Sequence, residues 1–468
     1  MMSVTTHVRA ALMGLSMVLS VLPAKADTLA DALAAAYRNS NLLDQNRALL
    51  RAVDEDVQQA FAAIGPVVEF VSTALISTSS SPNYRLSFGI GASATLFDFG
   101  RGRRSIDAVQ ETVLSTRAGL LVVEQNVLFG AAQAYLALFS DLQSVELQNN
   151  SVTVIAEQVR AARERFELGD STRTDVAIAQ ARLAAARSAL AAAQGNAAVA
   201  RESYNLSVGQ YPHGLSNPPR LPRIPGSLAA AQDIARRHHP AIAQAQHQVN
   251  AADIAVEIAR SQRLGSVTGS LSAEHSITGI TGLTDTVRSD ITATMRYAVP
   301  LYNGGRLNSL ERQAIARAQA QRAALHQTVA IVQQAVAANW AQLQVARARL
   351  AASDLQIEAS QSAYDAVSAE VELGSRTALD LLNAEQELLD ARSTRILGAA
   401  GVQTASYALL NSMGQMTVEA LRLGIPTYDV GAYSMGLRRE PIEETPSEQG
   451  RRLDRILGRL YRGEGEEP

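Results

Sequence analysis

The segment Phe166-Glu167-Leu168-Gly169-Asp170-Ser171-Thr172-Arg173-Thr174-Asp175-Val176 returns as Val371-Glu372-Leu373-Gly374-Ser375-Arg376-Thr377-Ala378-Leu379-Asp380-Leu381, 205 positions later and without a gap. In each copy a long helical pattern stops at Leu-Gly, a short polar stretch follows, and a second helical pattern starts. Glycine supplies the left-handed helix end, and Ser or Thr caps the next helix. The chain therefore makes the same tight turn between antiparallel helices twice, at Leu168-Gly169 and at Leu373-Gly374.

The flanks repeat as well. Residues 103–167 and 306–372 hold no proline, and each reads as a helix on the order of 100 Å long. Each turn leads into a return helix of about half that length, over 172–208 and 377–413. Residues 28–64 and 228–264 carry further helical patterns of that shorter length. Between each of these and the following long helix lies a β-rich stretch. Leu86, Phe88, Ile90, Ala92, Ala94 and Leu96 alternate with Arg85, Ser87, Gly89, Gly91, Ser93 and Thr95. That is a strand with one apolar and one polar face. Ile291, Ala293, Met295, Tyr297 and Val299 repeat the alternation. Strand hairpins are predicted over 67–96 and 267–299.

The chain thus divides into an export signal (1–26), a first repeat (27–227) ending in an equatorial segment (209–227), a second repeat (228–426) with its own equatorial segment, and a charged tail (427–468) expected to be disordered. The signal is read from the apolar run Ala10 to Leu22 followed by Ala24-Lys25-Ala26. Past it, no run of 18 apolar residues suggests a transmembrane helix.

Lengths constrain the assembly. Two short helices laid end to end cover one long one, giving each chain four helical columns. The expected end-to-end pairs are 172–208 with 228–264 and 377–413 with 28–64. Four strands with one apolar face cannot close a barrel, which needs about eight or more. Strands of 10 to 13 residues suit a tilted outer-membrane crossing. The competing reading is a soluble sandwich with its polar face outward.

Composition removes several function classes. Hydrophobic residues make up 47% of the chain and aromatics only 4%. Much of the apolar share is alanine, which suits thin helical walls more than a deep core. A net charge of −3 shows no nucleic-acid footprint. The absence of cysteine excludes disulfides, thiolate metal sites and lipid attachment through an N-terminal cysteine. No catalytic set or phosphate loop stands out, so neither an enzyme nor a cofactor is expected. Adjacent His238 and His239 point to different sides of a helix and read as polar residues before Pro240. Trp340 reads as packing.

The mature chain from 27 to about 425 resembles the TolC family of outer-membrane efflux and secretion channels. The carriers are Leu96-Phe97-Asp98-Phe99-Gly100-Arg101, Pro300-Leu301-Tyr302-Asn303-Gly304-Gly305-Arg306, the two Leu-Gly turns, and Thr377-x-x-Asp380-Leu381-Leu382-Asn383-Ala384-Glu385. The resemblance implies a mostly α fold with a small transmembrane β part. It implies a homotrimer, whose 12-stranded barrel sits in outer-membrane lipid and continues as a 12-helix tunnel through the periplasm. The implied partners are a periplasmic adaptor protein and an inner-membrane ABC or RND transporter, whose docking opens the periplasmic tip. Arg376 matches the family's lock arginine, and Thr174 and Asp175 match its partners. Asp380 matches the first carboxylate of the constriction ring. Asn383 takes the place of the second carboxylate, and Val371 that of the lock's tyrosine, so weaker cation block and a lock with fewer hydrogen bonds are expected. The missing lipid-anchor cysteine leans toward the secretion branch. Two plainer readings stand beside these: Asp175 and Asp380 as first-turn carboxylates on a helix dipole, and Arg376 as a solvated charge. Opposed to the duct as a whole is a non-conducting periplasmic coiled-coil spacer.

Overall fold

A computed structural model describes residues 26–78, 83–169, 171–280, 285–431 and 433. The export signal up to Lys25, the Ser79–Pro82 loop, Asp170, the loop around Gly282 and the tail beyond Tyr433 lie outside the described residues.

Among the described residues, eight α-helices and four strands follow in order: α1 (Leu29–Asn39), α2 (Asn41–Ala62), β1 (Val67–Ser77), β2 (Asn83–Phe97), α3 (Arg101–Glu167), α4 (Arg173–Val208), α5 (Leu228–His238), α6 (Pro240–Ser261), β3 (Ser266–Ile280), β4 (Thr286–Ala298), α7 (Arg306–Glu372) and α8 (Ala378–Ser412). The long helices and the turns fall where the sequence puts them. The stretches 28–64 and 228–264, read as continuous helices, are each broken. Ser40 is extended, and its side chain accepts from the Leu43 N–H to start α2. His239, 199 positions on, is also extended, because it precedes Pro240. Its ring Nδ1 accepts from the Ala241 N–H. His239 is thus a helix cap, and burial holds its pKa below the usual histidine value.

The strands form one antiparallel sheet in the order β1-β2-β3-β4. The central pairing joins the two repeats: Ile90 lies opposite Ala273 and Phe88 opposite His275. Val68, Phe70, Ile76, Ile90, Leu271, Ile291 and Met295 share one face. That face is open: Ile76 is 79% exposed and Ile291 80%. Glu69, Arg85, Glu274, Arg288 and Asp290 lie on the other.

The helices form a wall one layer thick. Near the sheet the order across it is α2-α3-α6-α7; near the turns it is α4-α3-α8-α7. This corrects the expected end-to-end pairs. α4 continues the α1–α2 column, where the Asn39 side-chain amide donates to the Val208 carbonyl at 3.2 Å. α8 continues the α5–α6 column, where Gly414 abuts His239 and Pro240 so closely that a Cβ would lie 2.8 Å from the His239 Cα. The reason is that α8 packs between the two long helices, touching both, and leaves the outer flank of α3 to α4.

Two connections cross α3 at this equator. The segment after α4 is held by Tyr135, whose hydroxyl sits 2.7 Å from the Ser216 carbonyl and 3.0 Å from that of Asp27. The segment after α8 is held by Glu124, which accepts from the Val418 N–H at 2.8 Å. Burial raises the Glu124 pKa. Beyond it, the Tyr428 N–H donates to the Tyr37 hydroxyl, and the Arg47 guanidinium lies over both rings, 4.9 and 5.4 Å from their centroids. The chain expected to be disordered from 427 is thus packed at Tyr428, and Tyr433 donates to Glu55.

The main core gathers at the same level: Leu128, Ala131, Ala132, Tyr135 and Leu136 of α3 with Tyr204, Leu409, Met413 and Met416. Trp340 packs against it. α3 is also long and apolar enough to cross a membrane by length and composition, but half of that stretch is buried within the chain. Replacing Tyr135 by Phe would take the hydroxyl donor from the Ser216 carbonyl, whereas the Asp27 carbonyl keeps the Ser216 N–H and hydroxyl. A loss of about 1–2 kcal/mol is expected, read by denaturation in detergent.

Candidate functional site: the tip of the helical hairpins

Both turns are built by local rules. Gly169 and Gly374 take φ of 87° and 75°, with open space around the missing Cβ, so the backbone conformation alone asks for glycine. In the second turn the Ser375 N–H donates to the Glu370 carbonyl, closing the helix end. Thr172 and Thr377 then cap α4 and α8 in reciprocal boxes with Asp175 and Asp380. The Asp380 carboxylate accepts from the Thr377 N–H at 3.1 Å and from its hydroxyl at 2.8 Å. These hydrogen bonds hold its pKa below the usual aspartate value, with a smaller contribution from the charge on Arg376. Asp175 is lowered in the same way by Thr172 and further by Ser171.

Arg376, Thr174 and Asp175, the residues expected to form the lock, have the following surroundings within one chain. Arg376 donates to Glu370 of its own hairpin at 3.0 Å. The Asp175 carboxylate is already occupied by Ser171 and by both donors of Thr172, and Thr174 stands beside it, exposed in the first turn of α4. Leu168 and Leu373 are exposed at the extreme of each turn, 78% and 84%.

Among the described residues of one chain, the two hairpins meet near the tip through Leu382 and Asn383. Leu382 of α8 is buried in a small cluster with Val159 and Ala162 of α3 and Ala179 of α4. Next to it, the Arg182 guanidinium donates to the Asn383 side-chain carbonyl at 3.0 Å. Arg182 was not picked out in the sequence. The signal for it was weak: an arginine two turns into α4, one of several on that helix.

One further group is unusual. Glu385 is buried, and its Oε2 has no hydrogen-bond partner. Burial pushes its pKa from 4.5 up to about 7. Tyr364 of α7 lies close enough for the Glu385 charge to help raise its own pKa, after burial.

An extended sheet with a bare apolar face, a thin helical wall about 100 Å tall and two capped turns at the far end are now in place. A family model described as "Outer membrane efflux protein" matches residues 32–210 and again 232–415. The chain belongs to the outer membrane efflux protein family. It is a TolC-like outer-membrane channel protein, and the region beyond the sheet reaches into the periplasm. It is 34% identical over 411 residues to the outer membrane efflux protein BepC of Brucella suis, covering 86% of this chain and 89% of BepC. It is 24% identical over 317 residues to the outer membrane protein TolC of Vibrio cholerae, covering 65% and 71%. Among solved structures, VceC of Vibrio cholerae superposes with a TM-score of 0.70 at 21% identity, over 82% of this chain and 96% of VceC.

Folded Glu385 keeps its proton to about pH 7, whereas the unfolded chain releases it near 4.5. Stability is therefore lost as pH rises through that window and levels off above it. Melting of the parent and of Glu385→Gln between pH 5 and 8 checks this. The variant, which has no proton to lose, should show a flatter profile and gain most above pH 7.

Proposed function

We propose that three copies of this chain form a passive exit duct, opened at its periplasmic tip when an adaptor and an energised inner-membrane transporter dock. The observation that carries this is the unfinished sheet. β1 pairs only with β2 and β4 only with β3, so both outer edges are free among the described residues. Its apolar face is bare at the same time. In a bilayer an unpaired edge leaves every second peptide group without a partner, at several kcal/mol each. Pairing β4 of one copy with β1 of the next removes both edges, and three copies give twelve strands. The one-layer wall closes in the same way into twelve columns.

At the tip, Asp380 from three copies would form a ring of like charges that collects cations. Asp380 is half-exposed and kept ionised by its cap, which suits that role. The joint that must separate for opening is the Leu382 cluster with the Arg182–Asn383 bond, while Arg376 and Glu370 brace the second turn beside it. The work proposed is passage and not catalysis. Substrates are those handed over by the transporter, small toxic compounds or secreted proteins.

The spacer alternative shares the helical wall but encloses no lumen. Reconstitution into planar bilayers separates the two: stepwise conductance is expected, and none would overturn the duct. Multivalent cations should block it, and Asp380→Ala should weaken the block by roughly tenfold or more; an unchanged block would remove Asp380 from the ring. Leu382→Ala, which opens a cavity in the joint worth about 2–5 kcal/mol, should raise conductance of the resting channel.

A further inference from the structure

We propose that Arg182 sets the ion selectivity of the constriction, offsetting the negative ring with a positive charge carried on the opposite hairpin. The inference rests on the duct reading above. Asp380 and Asn383 are three residues apart on α8, so they share one face, about 6 Å from each other. Asn383 brings no charge of its own to that face. Its side-chain carbonyl is instead the acceptor for Arg182, at 3.0 Å, across 201 positions of sequence. The Asn383 end of that hydrogen bond lies one helical turn from Asp380, and an aspartate at 383 would have turned the bond into an ion pair. Leu382, buried against Ala179 on the same turn of α4, fixes the two helices in register for that bond. Each chain thus adds the Arg182 guanidinium, beside the Arg376–Glu370 pair of the second turn, to the end that carries Asp380, and three chains would set a positive ring next to the negative one.

A unit charge about 6 Å from a mobile ion changes its local population about threefold in water. Permeability ratios of potassium to chloride, taken from reversal potentials across a salt gradient near 0.1 M, read this directly, because screening there reaches only about 10 Å. Arg182→Gln should raise the ratio about threefold or more. Arg182→Lys, which keeps the charge, should leave it near the parent's. Asp380→Ala should move it the other way. An unchanged ratio in Arg182→Gln overturns the proposal. So does a shift in Arg182→Lys as large as in Arg182→Gln, which would make the effect one of shape and not of charge. Absence of conductance in every protein, the parent included, would instead overturn the duct reading itself, and the proposal with it.

Discussion

A helix of 67 residues needs a neighbour along its whole length, and its own return helix, α4, has only 36. The remaining half of each long helix must be covered by chain from somewhere else. That mismatch produces the equator. Two short columns end there, two connections cross α3 there, and the largest buried side chains collect there. Elsewhere the wall is one helix thick and much of what it buries is alanine, so it gains little area per residue. The equatorial cluster around Tyr135, Tyr204 and Met416 is therefore where the chain comes nearest to having a conventional core. The polar contacts at that level serve the crossings. Tyr135 and Glu124 both accept the cost of burial to hold a strap's backbone.

The sheet has no such core. It is four strands whose apolar side is covered by nothing among the described residues, and whose polar side carries Glu69, Arg85, Glu274 and Arg288. This inversion of the soluble pattern follows from the solvent on each side. Lipid takes the apolar face and water the polar one. A soluble sandwich would have covered that face with a second layer, and none is present among the described residues. Membership of the outer membrane efflux protein family agrees with the lipid reading.

The tip combines strong local structure with a weak joint. Each turn is closed by a left-handed glycine and a capping box, so each hairpin end is rigid by itself. At the tip, among the described residues, the hairpins share a small apolar cluster and a side-chain hydrogen bond. That division suits a structure whose hairpins must move apart without either one melting. Glu385, buried with no partner for one of its oxygens, keeps a proton near neutral pH in the same wall.

Local rules are legible in a single sequence because their partners lie within a few residues. The turns at Gly169 and Gly374, the caps at Thr172 and Thr377, the long helices and the alternation of β2 were readable for that reason. The breaks at Ser40 and His239 were also within reach, since Pro240 marks one of them and the repeat carries it to the other. Which short helix continues which column was not readable. Both pairings satisfy the same lengths, and the choice is made by α8 packing between α3 and α7. The partners of Arg376 and Arg182 were equally hidden. Each arginine has several carboxylates or amides within sequence reach, and it is the packing of Leu382 against Ala179 that brings Asn383 to Arg182. Sequence by itself determined where each helix starts and stops, because those interactions close over three or four residues. The tertiary structure decided which side chains meet across 200 residues, because that depends on how the helices are ordered around the wall.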